Sequence, residues 1–275
     1  MSYNGHISAV VDNTSLLTDL IAEHGLSLWI EYDDKKILFD TGQSNAVISN
    51  AKNLGVDLAS ADAIIISHGH YDHTGGLFEV LDMAAKAKIY LHPLAIKSKF
   101  SKKGTDVKYI GIPGHAKKAI ENRNVILTTK PANLVPGLVV TGPIPRINNF
   151  EDIGGNFFLD ENCQRPDILI DDQALFFESS LGLVVVLGCA HSGVVNILDY
   201  VSNLTDADKI YAVIGGMHLL NASQDRIKNT IEAFKKYKVQ KLIPLHCTGQ
   251  KVMEIFKSVF GDKCLLSGVG GKISF

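Results

Sequence analysis

Residues 68–73 read His-Gly-His-Tyr-Asp-His, which places four metal-ligand side chains within six positions, directly after the apolar run 63–66. A β-branched run bounded by small polar residues is typical of a buried strand, so these side chains come where a strand ends and its loop begins. Imidazole and carboxylate groups suit zinc, iron or manganese, and the cluster indicates a catalytic site for one ion or two. The candidate ligands here are His68, His70, Asp72 and His73.

Three further histidines follow apolar runs in the second half of the chain. The runs at 183–187, 209–214 and 241–244 are rich in Val, Ile and Leu, and a histidine follows each within four residues. Loops at strand ends are the usual place for chemistry on α/β scaffolds, so the matching placement makes all three candidates for one site. These histidines are His191, His218 and His246.

Hydrophobic periodicity divides the chain into two halves, each a sheet with outer helices, within a single domain over residues 1–275. Strands are predicted at 7–11, 27–32, 36–40, 63–66, 88–91, 174–178, 183–187, 209–214 and 241–244. Helices are predicted at 44–54, 76–87, 194–203 and 224–237. A further helix at 14–22 is expected if Asn13 acts as its N-cap and His24 lies at its end.

Residues 101–165 form an elaborated segment that holds five of the eight prolines. Long insertions over a rigid scaffold are often binding loops. Within this segment Arg146 is a candidate contact for an anionic group of a substrate.

Composition restricts the class of partner. The net charge of −2 gives no nucleic-acid footprint, and no stretch reaches the roughly 18–20 apolar residues of a membrane helix. The amino terminus lacks the basic and apolar regions of a signal peptide, so a cytoplasmic protein is expected. The expected partner is a small, anionic substrate, while the oligomeric state is left open.

Four cysteines, Cys163, Cys189, Cys247 and Cys264, lack CxxC spacing. Cys189 and Cys247 each lie within two residues of a candidate histidine, and the favoured interpretation is packing beneath the site rather than ligation. The basic stretch 97–103 is interpreted as a solvated helix end or loop, with a clamp for phosphate or carboxylate as the alternative.

Several motifs together resemble one protein family. The cluster at 68–73 followed by Thr-Gly-Gly-Leu, and Asp40-Thr-Gly after a strand, resemble the metal motifs of the metallo-β-lactamase fold superfamily. The segments 11–15, 23–27, 188–193, 215–219 and 245–249 resemble its pterin-linked branch, often labelled dihydropteroate-synthase-like. The resemblance implies an α/β fold of four layers, an αββα sandwich, with the site along one edge between the sheets.

The resemblance also implies roles for individual residues. His68, His70 and His191 would hold one metal ion, and a second would lie on Asp72, His73 and His246. The superfamily usually has an aspartate in a Gly-Asp motif where this chain has Gly-Cys-Ala-His at 188–191, so one or two ions remain open, with zinc preferred over iron or manganese.

The remaining candidates surround the metal. Asp72 would orient a hydroxide or accept its proton, and His218 would contact substrate or stabilise a developing anion. Asp40 is interpreted either as a hydrogen-bond acceptor for a metal-bound histidine or as a turn residue. Asn13 and His24 are candidate pocket contacts.

Three functions are weighed. The leading one is a metal-dependent hydrolase of a small-molecule ester, lactone or phosphoester, because a divalent ion lowers the pKa of bound water to about 7. The alternative is a pterin-linked transferase that joins a dihydropterin diphosphate to a ribofuranosyl-aminobenzene phosphate. The third is a non-enzymatic metal-binding redox or sensing protein.

Overall fold

The computed structural model describes residues 5–121 and 123–275, and it stacks two β-sheets between two layers of helices. The first four residues of the sequence, on which part of the prediction about a signal peptide falls, lie outside the described residues. The strands are β1 (Gly5–Val11), β2 (Ser27–Tyr32), β3 (Lys35–Phe39), β4 (Ala63–Ile65), β5 (Lys88–Leu91), β6 (Phe100–Lys103), β7 (Asp106–Tyr109), β8 (Val125–Leu127), β9 (Ala132–Val135), β10 (Leu138–Val140), β11 (Phe157–Phe158), β12 (Leu175–Ser179), β13 (Gly182–Leu187), β14 (Ala212–Gly216), β15 (Lys241–Leu245) and β16 (Lys272–Ser274). The α-helices are α1 (Ala46–Leu54), α2 (Tyr71–Thr74), α3 (Leu77–Met83), α4 (Gly114–Ile120), α5 (Val194–Thr205), α6 (Gln224–Lys236) and α7 (Gln250–Phe260).

Each large sheet mixes antiparallel and parallel pairing. The first has the order β16-β1-β2-β3-β4-β5-β8, and the pairs from β3 onward are parallel. The second has the order β15-β14-β13-β12-β10-β9, in which β13, β14 and β15 are parallel. A three-stranded sheet, β11-β6-β7, lies beside them.

The period-2 alternation of strand side chains explains the four layers. On β13, Val184 and Val186 pack into the core between the two sheets, together with Ile30 of β2 in the first sheet. Val185, between them in sequence, faces the other way and packs with α5 and α6. Helices α1 and α3 cover the outer face of the first sheet in the same manner. The αββα sandwich is therefore confirmed.

Parallel pairing brings the functional loops to one place. Within each sheet, the carboxyl ends of parallel neighbours meet at the same edge. The loop after β4 carries the cluster at 68–73, and the loops after β13, β14 and β15 carry the three later histidines. The short helix α2 begins right after His70, so the backbone turns within the cluster itself.

Some local predictions are wrong. Residues 14–22 form turns and a single bridge instead of a helix. Asn50 explains part of the difference, because its side chain bonds both the backbone N–H and the carbonyl of Ile21. The segment 101–165 contains strands and a helix as well as loops.

The basic stretch 97–103 is solvated only in part. Lys97, Lys102 and Lys103 are exposed, whereas Lys99 is fully buried. Its ammonium lies 2.7 Å from a carboxylate oxygen of Asp167 and 2.8 Å from one of Asp171. The ammonium group of Lys99 therefore pairs with two carboxylates of the protein itself. No helix within 5–121 and 123–275 is long and apolar enough to cross a membrane.

Candidate metal centre

The loop after β4 is held rigidly before it reaches its ligands. The backbone N–H of Gly69 donates to Asp171, 2.8 Å away, and Asp171 is in turn paired with the buried Lys99. A Cβ at Gly69 would lie 2.1 Å from the carbonyl oxygen of Ala95, so only glycine fits between the two histidines. The close backbone contact fixes the direction in which both imidazoles project.

Three histidines from the two sheets form the first candidate metal group. His68, His70 and His191 are buried, and one ring nitrogen from each lies within 4.8 Å of the others. Nε2 of His68 is 3.0 Å from Nδ1 of His70. Burial lowers the pKa of His70 to about 3 and holds the pKa values of His68 and His191 well below their usual range. All three are therefore neutral imidazoles, the form that binds metal ions.

Hydrogen bonds fix which nitrogen carries the hydrogen in the rings of His191 and His68. Nδ1 of His191 donates to the carbonyl oxygen of Ile153 at 2.8 Å, because a carbonyl can only accept. Ser67 donates its hydroxyl hydrogen to Asp40, so it accepts from Nδ1 of His68 at 3.0 Å. In both rings Nε2 keeps its lone pair, and that of His191 meets no donor among the described residues. These directed lone pairs fit a divalent cation.

The second candidate group surrounds a carboxylate. An oxygen of Asp72 lies 3.2 Å from Nε2 of His24 and 3.3 Å from Nε2 of His246. Asn13 accepts from the Gly25 N–H, which orients its amide oxygen, and the same oxygen accepts from Nδ1 of His246 at 2.7 Å. Nδ1 of His246 is therefore the nitrogen engaged by Asn13, and Nε2 faces the carboxylate, an arrangement that suits a cation between them.

His73 and Asp40 connect the two groups. Nδ1 of His73 lies 2.6 Å from a carboxylate oxygen of Asp40, and both side chains are fully buried. Burial alone would lower the pKa of His73, but the carboxylates of Asp40 and Asp72 outweigh it and raise that pKa. Nε2 of His73 faces Sγ of Cys189 at 3.1 Å and an oxygen of Asp72 at 3.8 Å. Asp40 also has a positive φ of 60°, as in a turn. Its geometry therefore agrees both with a turn residue and with a hydrogen-bond acceptor for a histidine of the site.

The two cysteines near the site lie within ligand distance of its histidines. Sγ of Cys189 joins His68 and His73 in one potential ligand set. Cys189, Cys247 and His218 form another set within 4.8 Å. Ligation by these thiols therefore stays an alternative to the predicted packing role, and their position beside ligand histidines is the sequence signal for it.

A cavity of about 730 Å³ opens beside the second metal group. Three of the predicted contacts, Asn13, His24 and His218, line it together with His246. Nε2 of His218 donates to the carbonyl oxygen of Gly154 at 3.2 Å, so its Nδ1 carries the lone pair. His218 belongs to the cavity wall and to the cysteine set, and not to the group formed by His68, His70 and His191.

Arginine placement differs from the sequence prediction. The guanidinium of Arg146 donates to the backbone carbonyls of Ile168, Leu169 and His191, and Arg146 does not line the cavity. It holds the loop of a candidate ligand in place. The cavity wall contains Arg226 of α6 instead. The sequence pattern that indicates this residue is a charged side chain on the apolar face of an amphipathic helix. Arg226 lies one helical turn before Thr230, which is also buried.

Known proteins resemble this chain over nearly its whole length. Residues 21–202 match the Metallo-beta-lactamase superfamily. A relative from Methanocaldococcus jannaschii, 7,8-dihydropterin-6-methyl-4-(beta-D-ribofuranosyl)-aminobenzene-5'-phosphate synthase, is 34% identical, with 88% of this chain and 86% of the relative covered. The crystal structure of Tm1679, a metal-dependent hydrolase of the beta-lactamase superfamily, is 31% identical and superposes with a TM-score of 0.84 over 98% of both chains.

A more distant structure shares the architecture alone. The metallo-beta-lactamase fold protein YhfI from Bacillus subtilis has a TM-score of 0.60 at 12% identity, and the match covers 99% of this chain and 100% of that one. The family match, the two relatives above 30% identity and the clustered histidines agree. The chain belongs to the metallo-β-lactamase superfamily.

Proposed function

We propose that this protein is a metal-dependent synthase that joins a dihydropterin diphosphate to a ribofuranosyl-aminobenzene phosphate. The relative from Methanocaldococcus jannaschii supports this reaction, because its name describes the product of such a coupling. The observation that carries it in the molecule is the 730 Å³ cavity against the second metal group. A volume in this range suits a bicyclic pterin with a phosphorylated aromatic partner, since small-molecule sites span roughly 300–1,000 Å³.

The proposed reaction forms one bond and breaks another. The amine nitrogen of the aminobenzene attacks the methylene carbon attached to the pterin, and the carbon–oxygen bond to the diphosphate breaks with its electron pair leaving on oxygen. The amine also loses a proton. His218 lines the cavity and is the candidate acceptor of this proton.

The donor groups assign the metal ligands within the proposal. His68, His70 and His191 would hold one divalent ion, and Asp72, His73 and His246 would hold another, with His24 beside them. A bound ion of this kind supplies Lewis-acid stabilisation of the negative charge on the leaving diphosphate. Zinc suits these nitrogen and oxygen donors, and iron or manganese would also be accepted.

Hydrolysis is the second candidate, and the likeness to Tm1679 favours it. The same metal ligands and cavity would serve water in place of the amine, with an ester, lactone or phosphoester as substrate. Neither the synthase from Methanocaldococcus jannaschii nor Tm1679 supports the third expectation, a redox or sensing protein without catalysis.

One experiment separates the two reactions. Metal-loaded protein is incubated with the dihydropterin diphosphate, with and without the aminobenzene phosphate, and diphosphate release and the coupled product are measured. A synthase releases diphosphate only when the amine is present, whereas a hydrolase releases phosphate or diphosphate in both cases. Asp72→Asn should abolish the reaction, and the exposed Asp82→Asn is the matched control. Absence of coupled product from active, metal-loaded protein contradicts the proposal.

A further inference from the structure

A buried arginine forms part of the cavity wall without its full set of hydrogen bonds. The side chain of Arg226 is 2% exposed, and its Nη1 donates to Oδ1 of Asp152 at 2.8 Å. Within the residues that the structure describes, neither Nε nor Nη2 of Arg226 meets an acceptor. Leaving a charged donor buried and unpartnered is costly, so a site of this kind calls for an anion.

Among the described residues, the carboxylate that pairs with Arg226 is largely open to solvent. Asp152 is 74% exposed, and only one of its oxygens contacts the guanidinium. Its Oδ1 also accepts from the backbone N–H of Gly154 at 2.7 Å, so Asp152 would keep a hydrogen bond if a ligand replaced it on the guanidinium. Asp152 also lines the cavity and precedes two glycines, Gly154 and Gly155. The exposed carboxylate therefore occupies a position that an anionic group of a ligand could take.

The acidic groups of the cavity wall are already engaged, and the end of a helix adds to the attraction for an anion. Among the described lining residues, the acidic side chains are Asp152 and Asp12, and Asp12 already accepts from the backbone N–H of His246 at 2.7 Å. The wall also includes Gly249 and Gln250 at the start of α7. The amino end of a helix favours anions, which adds to the charge of the guanidinium.

We infer that Arg226 binds a phosphate group of the substrate, which replaces Asp152 on the guanidinium. In the proposed reaction the diphosphate belongs at the metal ions, so the phosphate left for Arg226 is the ribose 5'-phosphate. This assignment of the group depends on the proposed function, whereas the anion site itself does not. The planar guanidinium offers two parallel N–H donors to phosphate oxygens, which a lysine could not reproduce.

Direct binding tests the inference without turnover. The dissociation constants of inorganic phosphate and ribose 5-phosphate are measured by titration calorimetry on metal-loaded wild type and on Arg226→Met, Arg226→Lys and Asp152→Asn. Lys228→Met removes an exposed charge from the same helix and is the control. Any phosphate binding at the metal is common to all variants and cancels in the comparison.

The variants should move affinity in opposite directions. Loss of charge-assisted hydrogen bonds should weaken phosphate binding about 10- to 100-fold in Arg226→Met, and Arg226→Lys should fall between it and wild type. Asp152→Asn should strengthen binding, because the competing carboxylate is gone. Lys228→Met should match wild type. If Arg226→Met does not fold, the opposite shifts of Arg226→Lys and Asp152→Asn decide.

Contradicting results are distinct from failure of the proposed function. Unchanged affinity in folded Arg226→Met, or weaker binding in Asp152→Asn, would show that the pair only braces the loop. Absence of synthase activity together with phosphate binding that depends on Arg226 would refute the reaction and keep the anion site. Coupled product with an unchanged KM for the phosphorylated amine in Arg226→Lys would overturn the assignment of that phosphate.

Discussion

Replacing Asp40 with asparagine tests whether a carboxylate behind the metal centre sets its affinity. Asp40 is fully buried and accepts three hydrogen bonds. Its Oδ1 accepts from the backbone N–H of Ser67 at 2.7 Å, and its Oδ2 accepts from the Ser67 hydroxyl and from Nδ1 of His73, both at 2.6 Å. Asparagine tolerates the φ of 60° at this position, so the backbone should keep its conformation.

An asparagine amide cannot satisfy all three donors. With its oxygen at the Oδ2 position, its NH₂ group faces the N–H of Ser67, and in the flipped orientation the NH₂ group faces Nδ1 of His73. At least one charge-assisted hydrogen bond is lost, at about 1.5–3 kcal/mol. Loss of a hydrogen-bond partner behind a metal ligand typically lowers metal affinity 10- to 100-fold, so we expect a loss of that size.

Competition with a chromophoric chelator measures the affinity. The matched control is Asp62→Asn, since the exposed Asp62 also accepts from a backbone N–H, that of Lys36 at 2.9 Å, away from the site. Circular dichroism establishes that both variants are folded. Wild-type metal affinity in folded Asp40→Asn, or an equal loss in Asp62→Asn, would refute the role assigned to Asp40.

Three further predictions concern the ligands themselves. The double variant His68→Ala/His70→Ala should lose most of its bound metal, as measured by elemental analysis. A metal content equal to that of wild type would contradict the assignment of the first group. Asp72→Ala should stay folded but lose about 10²-fold or more in turnover, since it removes a group at the open side of the metal site; retained turnover would contradict this. His191→Ala should lower metal occupancy, because it removes one of the three imidazoles of the first group. His218→Ala should keep the metal and lower turnover or raise KM. The opposite pattern would exchange the two roles.

Local sequence patterns were sufficient where short-range geometry decides the outcome. The strand at 63–66 and the cluster after it were predictable, because a buried strand and its following loop are neighbours in the chain. The four layers followed from the family resemblance and from the alternation of apolar residues on strands such as β13.

Contacts between distant segments were beyond the sequence. Lys99 is buried because Asp167 and Asp171, 68 and 72 residues later, neutralise it. The turns at 14–22 depend on Asn50, whose side chain replaces the hydrogen bonds that a helix would make. The role inferred for Arg226 depends on its contact with the exposed Asp152, which lies 74 positions earlier in the sequence. Periodicity contains no information about such pairs.

The assembly of the metal centre from both sheets also bears on how long the folded protein survives. His68 follows β4 of the first sheet, and His191 follows β13 of the second, so an ion held by both would crosslink the two sheets. Such a crosslink would exist only in the native state, and it would stabilise that state against opening. Metal supply should therefore set the half-life of the protein against unfolding and proteolysis, with chelation as the step that releases the two halves.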